Sequence, residues 1–498
     1  MDRRYYTYLL VLIFALALGI RLYLAFQNPN FSLNDSYFAY RQVDSIKADL
    51  VPSYHDDLSY SGRTHIFQPV YYYVLAFFSF FLGTALALKI VPNVLACTLV
   101  FIVYLIVFEL TKKKGIALFS AFSSAFIPVF FASTVNSSSI LSFTLPLTFY
   151  LLYCFMRINN KAFLYQFLLL SFVLSLTSAI SFLFVFALLL YLLLVKLEFA
   201  QVNRTEMEVI LFITSLTLWV NVLLYKKAFL FHSYALIWQN IPVQILDTYF
   251  REIDVVGSVT SIGLIPLLFG IYAVYRYMFK ERDKRTYLLM AFAIAVAILL
   301  WFKLITLEVG LIYLGTILVP LLGQALDLFF SYLERTKISS YEWVFWSLIM
   351  MLMVLTAVLP SIAKASVSIH DSVTNDEIDA LLWIKNSTPK DSVVLSTISE
   401  GNLVSAISGR KDVADDDFIL IRSSDIVFDD IRQMYTSILK TDAVELLNKY
   451  GVDYIYLSPR AKAEFNITDL RYADKDCFEL VYDKGVKVYR STCEVKSA

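Results

Sequence analysis

The chain has 498 residues, of which 58% are hydrophobic and 17% are charged, and its mean hydropathy is +0.65. Soluble domains are about half apolar and roughly a quarter charged, so this composition excludes an ordinary soluble protein and indicates a polytopic membrane protein. Lysine plus arginine and aspartate plus glutamate balance at 42 each. This balance gives no electrostatic reason to expect a nucleic-acid partner.

The first apolar run, residues 5–26, follows a basic start and is long enough to cross a bilayer. It lacks a small-residue cleavage site, so we interpret it as a retained span and not as a removed signal peptide. About eleven spans are predicted in total. The others are 86–110, 116–133, 138–156, 164–178, 180–197, 208–225, 259–280, 286–302, 306–333 and 342–361.

Basic residues gather in alternate loops and predict the orientation of the chain. They lie in "MDRR", "TKKKG", "RINNK", the loop from Lys196 to Arg204, "KERDKR" and "ERTK". The positive-inside bias places these loops and the N-terminus on the cytoplasmic side of the cell membrane. Three polar parts are then predicted to be extracytoplasmic: the first outer loop (27–85), a second outer loop (226–258) and the C-terminal part (362–498).

The apolar segment 66–83, "IFQPVYYYVLAFFSFFLG", conflicts with this alternation if it crosses the membrane. Counted as a span, it would move every later basic loop to the outer side. Pro69, the tyrosine cluster and the length of roughly 15 apolar residues favour a re-entrant or interface-lying helix on the outer face. An extra span with a compensating error elsewhere is the alternative.

The composition changes near residue 362 to that of a soluble α/β module. "TNDEIDALLWIKNSTPKDSVVLSTI" predicts a helix that ends before Pro389, followed by a strand. "TDAVELLNKYGVDYIYLSP" predicts a helix capped by Thr441 or Asp442, closed by Gly451 and followed by another strand. This helix–strand alternation predicts a small sheet packed with helices over 362–498.

Two cysteines near the C-terminus flank a predicted hairpin. Cys477 and Cys493 enclose two alternating runs joined by a turn that contains glycine. We expect this hairpin near the edge of the sheet. A disulfide between the two thiols requires that this end of the chain lies outside the cytoplasm, and the spacing alone leaves it open.

The first outer loop, 27–85, carries two groups of polar side chains. An α-helix beginning near Ser36, capped by Asn34 or Asp35, would place Tyr37 and Arg41 on one face. The two groups are Asn34, Asp35, Tyr37, Tyr40, Arg41 and Asp44, and then His55, Asp56, Asp57, Tyr60, Arg63 and His65.

These residue types combine in a way that favours chemistry on a lipid-linked sugar. A carboxylate can act as a general base or hold a divalent metal, and arginine pairs with phosphate oxygens in two-point fashion. Tyrosine offers a flat face and a hydroxyl to a sugar. Each residue taken singly also has an ordinary interpretation, as a helix cap, an interface anchor or part of an aromatic belt.

"NDSYFAYRQVDSI" followed by "HDDLSYSGRTHIFQPVYYYVLAFF" resembles the first external loop of the GT-C class of membrane glycosyltransferases. The chain is most similar to archaeal relatives of the oligosaccharyltransferase catalytic subunit. The resemblance covers most of the chain and includes "WIKNSTPKDSVVL" and "KYGVDYIYLSP" near the C-terminus. It implies a GT-C-like transmembrane domain over 1–361, a catalytic role for Asp35, and a polyprenyl-phosphate or -diphosphate sugar donor bound at the outer surface.

The chain departs from the family pattern at several positions. The family's first loop often has two acidic residues, whereas Asn34 stands beside Asp35 here. A divalent metal such as Mg²⁺ or Mn²⁺ would then need Asp56 or Asp57 as a second ligand to accompany Asp35. The tryptophan-rich acceptor motif of oligosaccharyltransferases is absent, so recognition of Asn-x-Ser/Thr acceptors does not follow.

The family's phosphate-binding arginine near the late spans has no clear match. We take Lys303, at the predicted outer end of its span, as the substitute, although a lysine there also fits a snorkelling role. Glu308, just inside the next span, is an intramembrane charge and therefore a functional candidate. It could instead pair with Lys303.

The sequence therefore predicts a glycosyltransferase that moves a hexosyl or oligosaccharyl group to a lipid, glycan or protein acceptor outside the cell, with Asp35 as the catalytic residue. One alternative is a transporter or flippase, although the chain shows no internal repeat. Another is an inactive scaffold subunit. The predicted substrate-binding residues are Tyr37, Tyr40, Arg41, Tyr60, Arg63, His65 and Lys303.

Overall fold

Helices make up most of the chain up to His370, and an α/β unit follows them. The computed structural model describes residues 3–32, 34–198, 202–233, 254–280, 283–421 and 423–493. The apolar helices are α1 (Arg3–Ala25), α3 (Val70–Leu82), α4 (Thr84–Cys97), α5 (Leu99–Thr111), α6 (Lys114–Ala125), α7 (Pro128–Val135), α8 (Leu141–Met156), α9 (Lys161–Thr177), α10 (Ser181–Leu197), α11 (Arg204–His232), α12 (Val255–Ile262), α13 (Leu264–Phe279), α14 (Lys284–Trp301), α15 (Leu307–Leu333), α16 (Glu342–Met353) and α17 (Leu359–His370).

The helices are long and apolar enough for a multi-pass membrane protein. Six helical segments of the described residues pass a length and hydropathy test for a span, and eight pass if each of two bent pairs counts as one. The bent pairs are α6 with α7, at 49°, and α12 with α13, at 93°. Three shorter apolar helices, α8, α9 and α10, coincide with predicted spans. The multi-pass architecture is confirmed, while the number eleven stays a prediction.

The helix α15 lies at the centre of the apolar bundle, where it packs against α5, α6, α13 and α14. Gly323 permits this close approach, since a Cβ at that position would lie 2.6 Å from Cγ1 of Val107 and 2.9 Å from Oγ of Ser120. Small residues at helix contacts are typical of membrane bundles, in which backbones approach closely. The bundle therefore fixes the position of the α15 N-terminus, where Glu308 lies.

The first outer loop is folded into short elements. It contains α2 (Asp35–Asp49), the two-residue strands β1 (His55–Asp56) and β2 (Arg63–Thr64), and then α3. With 13 residues, α3 is about 20 Å long and cannot cross a hydrocarbon core of about 30 Å. Its C-terminal half exposes several phenylalanines. This geometry fits the predicted interface-lying helix, whose place relative to the bilayer stays a prediction.

The second predicted outer loop is only partly described. The helix α11 continues to His232, beyond the predicted start of that loop at residue 226. Residues 234–253, which form most of the predicted loop, lie outside the described residues. The candidate site below is therefore built from the first outer loop, the helix bundle and the C-terminal unit.

The C-terminal unit has a five-stranded sheet in the order β4-β3-β5-β7-β6. The strand β3 runs parallel to β4 and β5, whereas β7 is antiparallel to β5 and β6. The predicted alternation of helices and strands is confirmed. The elements are α18 (Asn375–Ser387), β3 (Val393–Leu395), α19 (Gly401–Ser408), β4 (Lys411–Asp412), α20 (Ser424–Thr436), α21 (Lys440–Lys449), β5 (Val452–Leu457), α22 (Pro459–Glu464), β6 (Phe478–Lys484) and β7 (Val486–Ser491).

Local signals in this unit are mostly confirmed. The helix α18 ends before Pro389, and Gly451 follows α21 with a φ of +63°, which glycine adopts at little cost. The predicted cap at Thr441 or Asp442 is wrong, because α21 already begins at Lys440 and Leu439 precedes it. The cap was misplaced by one turn or less, as is common at helix ends.

The cysteine hairpin closes at the edge of the sheet. The strands β6 and β7 meet at Gly485, which has a φ of +72°, and β6 is the edge strand. Cys477 and Cys493 form a disulfide with their Cα atoms 4.9 Å apart. The hairpin, its place at the edge and the pairing of the two cysteines therefore agree with the sequence pattern.

The first outer loop and the C-terminal unit share one apolar core. Tyr37 and Val43 of α2 pack in the same buried cluster as Leu403 and Val404 of α19. The helix α17 runs from Leu359 to His370 and so continues through the predicted domain boundary between 361 and 362. The C-terminal unit is thus packed onto α2, and this contact forms the wall of the cleft described next.

Candidate functional site

Asp35 is the first residue of α2 and lines a cleft of about 230 Å³. The cleft lies where the first outer loop, the helix bundle and the C-terminal unit meet. Among the predicted site residues, which all fall in the described part of the chain, Asp35 alone lines it. The lining residues are Asp35, Phe38, Tyr71, Tyr72, Ser138, Ile140, Asn402, Asp416 and Asp417.

The residue before Asp35 joins the cleft to the C-terminal unit. Asn34 occupies the predicted cap position before α2, but its side chain makes no capping hydrogen bond to the helix. Its Nδ2 instead donates to Oδ1 of Asp416 at 3.0 Å, and its Oδ1 accepts from the backbone N–H of Leu403 at 3.1 Å. Asn402 Nδ2 donates to the same oxygen of Asp416 at 2.9 Å. Two amides therefore orient the Asp416 carboxyl group.

The carboxyl groups of the cleft differ in their affinity for protons. Burial raises the pKa of Asp35, and the charge of Asp417 raises it further. Burial also raises the pKa of Asp416 well above its usual range, and the charge of Asp35 adds to this effect. The Asp35 side chain nevertheless remains accessible from the cleft. A carboxylate with a raised pKa is a stronger proton acceptor, which is the property a general base needs.

His65 connects Asp417 to the first outer loop. Its Nδ1 lies 3.1 Å from Oδ2 of Asp417, and its Nε2 lies 3.3 Å from Oδ2 of Asp56. Both ring nitrogens face carboxyl groups, so only the doubly protonated ring can donate to both of them. Burial opposes the charged ring, but the hydrogen bonds to Asp417 and Asp56 raise the pKa of His65. Burial would raise the pKa of Asp417, but the hydrogen bond with His65 acts in the opposite direction, and the pKa of Asp417 is lowered.

Tyr60 and Arg63, predicted to bind substrate, instead bind the acidic loop (residues 415–417) that follows β4. Arg63 Nη2 lies 2.7 Å from Oδ1 of Asp415, and its Nε donates to Oγ of Ser59 at 2.7 Å. Tyr60 donates its hydroxyl to the carbonyl oxygen of Asp415 at 2.9 Å, and its ring lies under the Arg63 guanidinium. Both side chains hold the C-terminal unit against the first outer loop.

Arg41, also predicted to bind substrate, is likewise bound to other side chains of the protein. Its guanidinium forms an ion pair with Asp56 and donates to Oγ of Ser405 in α19 at 3.0 Å. Asp56 is buried and also accepts from the backbone N–H of Leu58 at 2.9 Å. Burial would raise the pKa of Asp56, but hydrogen bonds from His65 and Arg41 outweigh burial and hold this pKa well below its usual range. A phosphate would have to compete with these partners for Arg41.

The two tyrosines predicted on α2 lie outside the cleft lining. Tyr37 is buried in the core shared by α2 and the C-terminal unit, and its hydroxyl oxygen accepts from the backbone N–H of Phe31 at 3.4 Å. Tyr40 is half-buried and packs against the same core. Aromatic residues of the cleft are instead Phe38 from α2 with Tyr71 and Tyr72 from α3.

The two candidates from the late spans lie at the start of α15. Lys303 is exposed in the turn between α14 and α15. Glu308 lies in the first turn of α15, where the helix dipole favours an acidic group. Its carboxylate is close enough to Asp35 for the two carboxyl groups to interact electrostatically. The structure thus brings Glu308 toward the predicted catalytic residue.

The predicted metal ligands do not converge. Asp57 is 83% exposed and lies 3.2 Å from Nε2 of His55, and Asp56 is bound by Arg41 and His65. Over the described ranges, no group of three histidine, cysteine or acidic side chains could hold a metal ion. The set of Asp35, Asp56 and Asp57 therefore does not form one site, and we derive no chemical step through a metal.

The sequence did not predict that the acidic loop is part of the site. Asp415, Asp416 and Asp417 lie in "VADDDF", and a charge run of this kind is usually a solvated surface. Gly401 is the residue on which this loop packs, but a glycine in the sequence does not reveal its contact partner. A Cβ at this position would lie 2.7 Å from the Cβ of Asp415, so the start of α19 can pack on the acidic loop only as glycine.

No family model matches the chain, and no curated protein sequence matches it. The apo oligosaccharyltransferase of Archaeoglobus fulgidus superimposes with a TM-score of 0.73 at 15% identity, over 95% of this chain and 73% of that one. The archaeal oligosaccharyltransferase AglB from Archaeoglobus fulgidus, with an inhibitory peptide and a dolichol-phosphate, gives 0.70 at 15% identity, over 90% and 69%. The Archaeoglobus enzyme was also solved with zinc and sulfate.

ArnT from Cupriavidus metallidurans, bound to undecaprenyl phosphate, superimposes with a TM-score of 0.56 at 12% identity, over 96% of this chain and 97% of that one. These structures show that the chain has the GT-C fold of membrane glycosyltransferases. It is similar to the archaeal oligosaccharyltransferase catalytic subunit. The family resemblance predicted from the first outer loop is therefore confirmed at the level of the fold.

Proposed function

We propose that the chain transfers a sugar or glycan from a polyprenyl-phosphate or -diphosphate donor to an acceptor on the outer face of the membrane, with Asp35 as the general base. One observation carries the proposal: Asp35, at the start of α2, lines a cleft between the helix bundle and the C-terminal unit. Proteins with this fold were solved with dolichol-phosphate and with undecaprenyl phosphate.

The proposed step is a displacement at the anomeric carbon of the donor sugar. Asp35 accepts the proton of an acceptor hydroxyl or amide, while the acceptor atom forms a bond to the anomeric carbon. The bond from that carbon to the phosphate oxygen breaks, and its electron pair leaves with the polyprenyl phosphate. Because the acceptor attacks opposite the leaving group, the anomeric configuration inverts. The raised pKa of Asp35 supports this role, since it strengthens the carboxylate as a base.

The leaving phosphate carries negative charge and needs basic groups near the membrane surface. We assign Lys303 as its candidate partner, because this lysine is exposed at the start of the segment that leads into α15 and Glu308. Arg41 and Arg63 are proposed to act indirectly, because their ion pairs with Asp56 and Asp415 hold the walls of the cleft together. The prenyl chain would remain in the bilayer while the head group reacts.

Transfer is tested with the full chain in proteoliposomes that contain short polyprenyl-phosphate sugars with a radiolabelled sugar. The proposal predicts a labelled covalent product with a lipid, glycan or peptide acceptor, together with release of polyprenyl phosphate. Movement of the labelled donor across the bilayer without any product would contradict the proposal and favour a flippase. A role for a divalent metal stays a prediction, which titration of a chelator into the same assay tests.

Lys303 is examined in that assay through Lys303→Gln, with Lys337→Gln on a cytoplasmic loop of the predicted topology as the matched control. If Lys303 binds the phosphate, its loss raises the KM for the donor several-fold while the control keeps the wild-type value. Equal KM values in the two variants would remove Lys303 from the proposed site. The assignment of Asp35 would then still stand.

A further inference from the structure

Asn402 lines the cleft and carries an amide oxygen that no group of the described residues satisfies. The residue is 3% exposed and lines the cleft at the first turn of α19. Its Nδ2 donates to Asp416 at 2.9 Å, which fixes the orientation of the amide. Its Oδ1 is buried and has no hydrogen-bond partner within the described residues. Leaving a buried acceptor without a donor is unfavourable, so a bound group that donates to it stabilises the complex.

Asp416 adds a second acceptor beside this one. Both amides that bind its carboxyl group, those of Asn34 and Asn402, donate to Oδ1. Neither of them occupies Oδ2. Asp35 lies on the same cleft and is close enough to Asp416 for the two carboxyl groups to interact electrostatically. Three side chains from two distant parts of the chain therefore bring carboxyl or amide groups to the lining of one cleft.

The other lining residues indicate which kind of ligand the cleft can bind. The lining contains no lysine, arginine or histidine, so the cleft itself does not attract a phosphate. It contains the aromatic rings of Phe38, Tyr71 and Tyr72, which offer apolar faces. Its volume of about 230 Å³ lies below the roughly 300–1,000 Å³ of pockets for drug-sized ligands. Acceptor oxygens with aromatic faces in a small space fit a single sugar ring with adjacent hydroxyl groups.

We propose that Asn402 and Asp416 form a subsite that binds hydroxyl groups of the transferred sugar, so that the C-terminal unit determines which sugar the protein accepts. This inference rests on the proposed function and deepens it, because it names the part of the donor that the cleft contacts. A ring hydroxyl donates to Oδ1 of Asn402, and a neighbouring hydroxyl donates to Asp416. Asn402 is a specificity-determining residue in this scheme, and Asp35 keeps the chemical role.

The test compares complete and deoxy sugars on the same prenyl phosphate. Citronellyl-phosphate hexoses, each intact or lacking one ring hydroxyl, are presented to the full chain in nanodiscs, and both transfer and equilibrium binding are measured. Wild type is expected to prefer the intact sugar to at least one deoxy analogue by about 3- to 10-fold, the usual effect of one hydrogen bond. Asn402→Ala is expected to abolish the preference at that ring position and leave the others unchanged.

Asn34→Ala serves as the matched control. It removes the other amide that orients Asp416 but keeps Oδ1 of Asn402, so the preference at the position read by Asn402 should survive even if overall binding weakens. Equal loss for intact and deoxy sugars in Asn402→Ala would mean that this residue only supports Asp416, and would overturn the proposal. So would a wild-type protein that binds intact and deoxy sugars alike.

The two readouts separate the subsite from the activity. If wild type binds the intact sugar preferentially through Asn402 but forms no product, the subsite stands and the proposed transfer fails. If transfer occurs with no contribution from Asn402 to sugar preference, the transfer stands and the subsite fails. If wild type neither binds nor transfers any sugar of the panel, both are contradicted.

Discussion

Asn34 donates a hydrogen bond to Asp416 across 3.0 Å, although 382 residues separate them in the chain. Asn34 also precedes Asp35, the residue to which we assign the chemistry. The bond therefore joins the start of α2 to the acidic loop of the C-terminal unit at the cleft. The GT-C family that the first outer loop resembles often has a second acidic residue at this position. This chain has an amide there, which donates to the Asp416 carboxyl group. The C-terminal unit is thereby part of the site.

This relationship predicts the effect of restoring the family's acidic residue. Asn34→Asp removes the donor to Asp416 and places a third carboxylate beside two carboxyl groups whose pKa values are already raised. Repulsion and a lost hydrogen bond should lower the transfer rate by about tenfold. Asn448→Asp, on the exposed face of α21, makes the same chemical change away from the cleft and should keep the wild-type rate. A faster Asn34→Asp variant would contradict the account.

The buried pair of Arg63 and Asp415 predicts a large loss of stability. Arg63→Gln leaves the Asp415 carboxylate buried without its partner, which costs about 3–5 kcal/mol for a pair of this kind. The unfolding temperature in detergent should fall by several degrees. Arg471→Gln, which changes an exposed arginine of the same unit, should have little effect. Equal unfolding temperatures for the two variants would show that the pair does not hold the C-terminal unit in place.

The bridge from His65 to Asp56 and Asp417 predicts a dependence of stability on pH. The pKa of His65 is raised above 6.5 in the folded protein. A raised folded pKa gives stability that is fully present below pH 6.5 and is lost as pH rises through the folded value. The unfolding temperature should therefore fall as pH rises above 6.5. Asp35 and Asp416, with raised pKa values, act in the same direction, so a variant is needed to isolate His65.

His65→Gln supplies that comparison. It keeps one donor but cannot become charged, so the difference in unfolding temperature between wild type and variant should be largest near pH 6 and shrink toward pH 9. The exposed His55 provides the control, since His55→Gln should follow the wild-type curve. A difference that does not vary over this range would rule out an imidazolium bridge.

The apolar runs predicted the helices well because burial in a membrane imposes a simple requirement of length and hydropathy. The α/β unit was also accessible from the sequence, since its caps, turns and alternating runs are local signals. The cysteine hairpin is the clearest case: two alternating runs, a glycine and two flanking thiols were sufficient to predict β6, β7 and their place at the sheet edge. Each of these features depends on neighbours within about twenty residues.

The site could be predicted only in part because its contacts join distant segments. Asp35 was found from the resemblance of its loop. Arg63 looked like a phosphate ligand because its partner Asp415 lies more than 350 residues away. Arg41 contacts Ser405 at a similar separation, and its nearer ion pair with Asp56 depends on how the first outer loop folds. A single sequence does not distinguish an arginine that binds a phosphate from an arginine that binds a distant carboxylate. Asn402 and the acidic loop carried no local mark of function for the same reason.

The disulfide predicts a measurable gain in stability at the sheet edge. Cys477 and Cys493 are 16 residues apart, and closing a loop of about 15 residues is worth about 3 kcal/mol in the chain-entropy estimate. The double variant Cys477→Ser with Cys493→Ser should unfold at a lower denaturant concentration than the oxidised wild type. Reductant should lower the wild-type midpoint and leave the variant's unchanged. An identical midpoint for all samples would show that the bond adds nothing to the hairpin.

The same two cysteines report on orientation. Protein isolated from membranes without reductant should show no free thiol at Cys477 or Cys493 after maleimide labelling, because disulfides persist on the oxidising side of the membrane. Full labelling of both positions would indicate a reducing location. It would contradict the predicted extracytoplasmic placement of the C-terminal unit.

The central claim is that one carboxylate at the start of α2 removes the acceptor's proton. The most direct test is Asp35→Asn, which keeps the shape of the side chain and removes its basicity, compared with Asp49→Asn at the exposed end of the same helix. General-base catalysis contributes about 10²–10⁴-fold, so sugar transfer by Asp35→Asn should fall at least a hundredfold while Asp49→Asn retains its rate. Wild-type turnover by a folded Asp35→Asn protein would contradict the account.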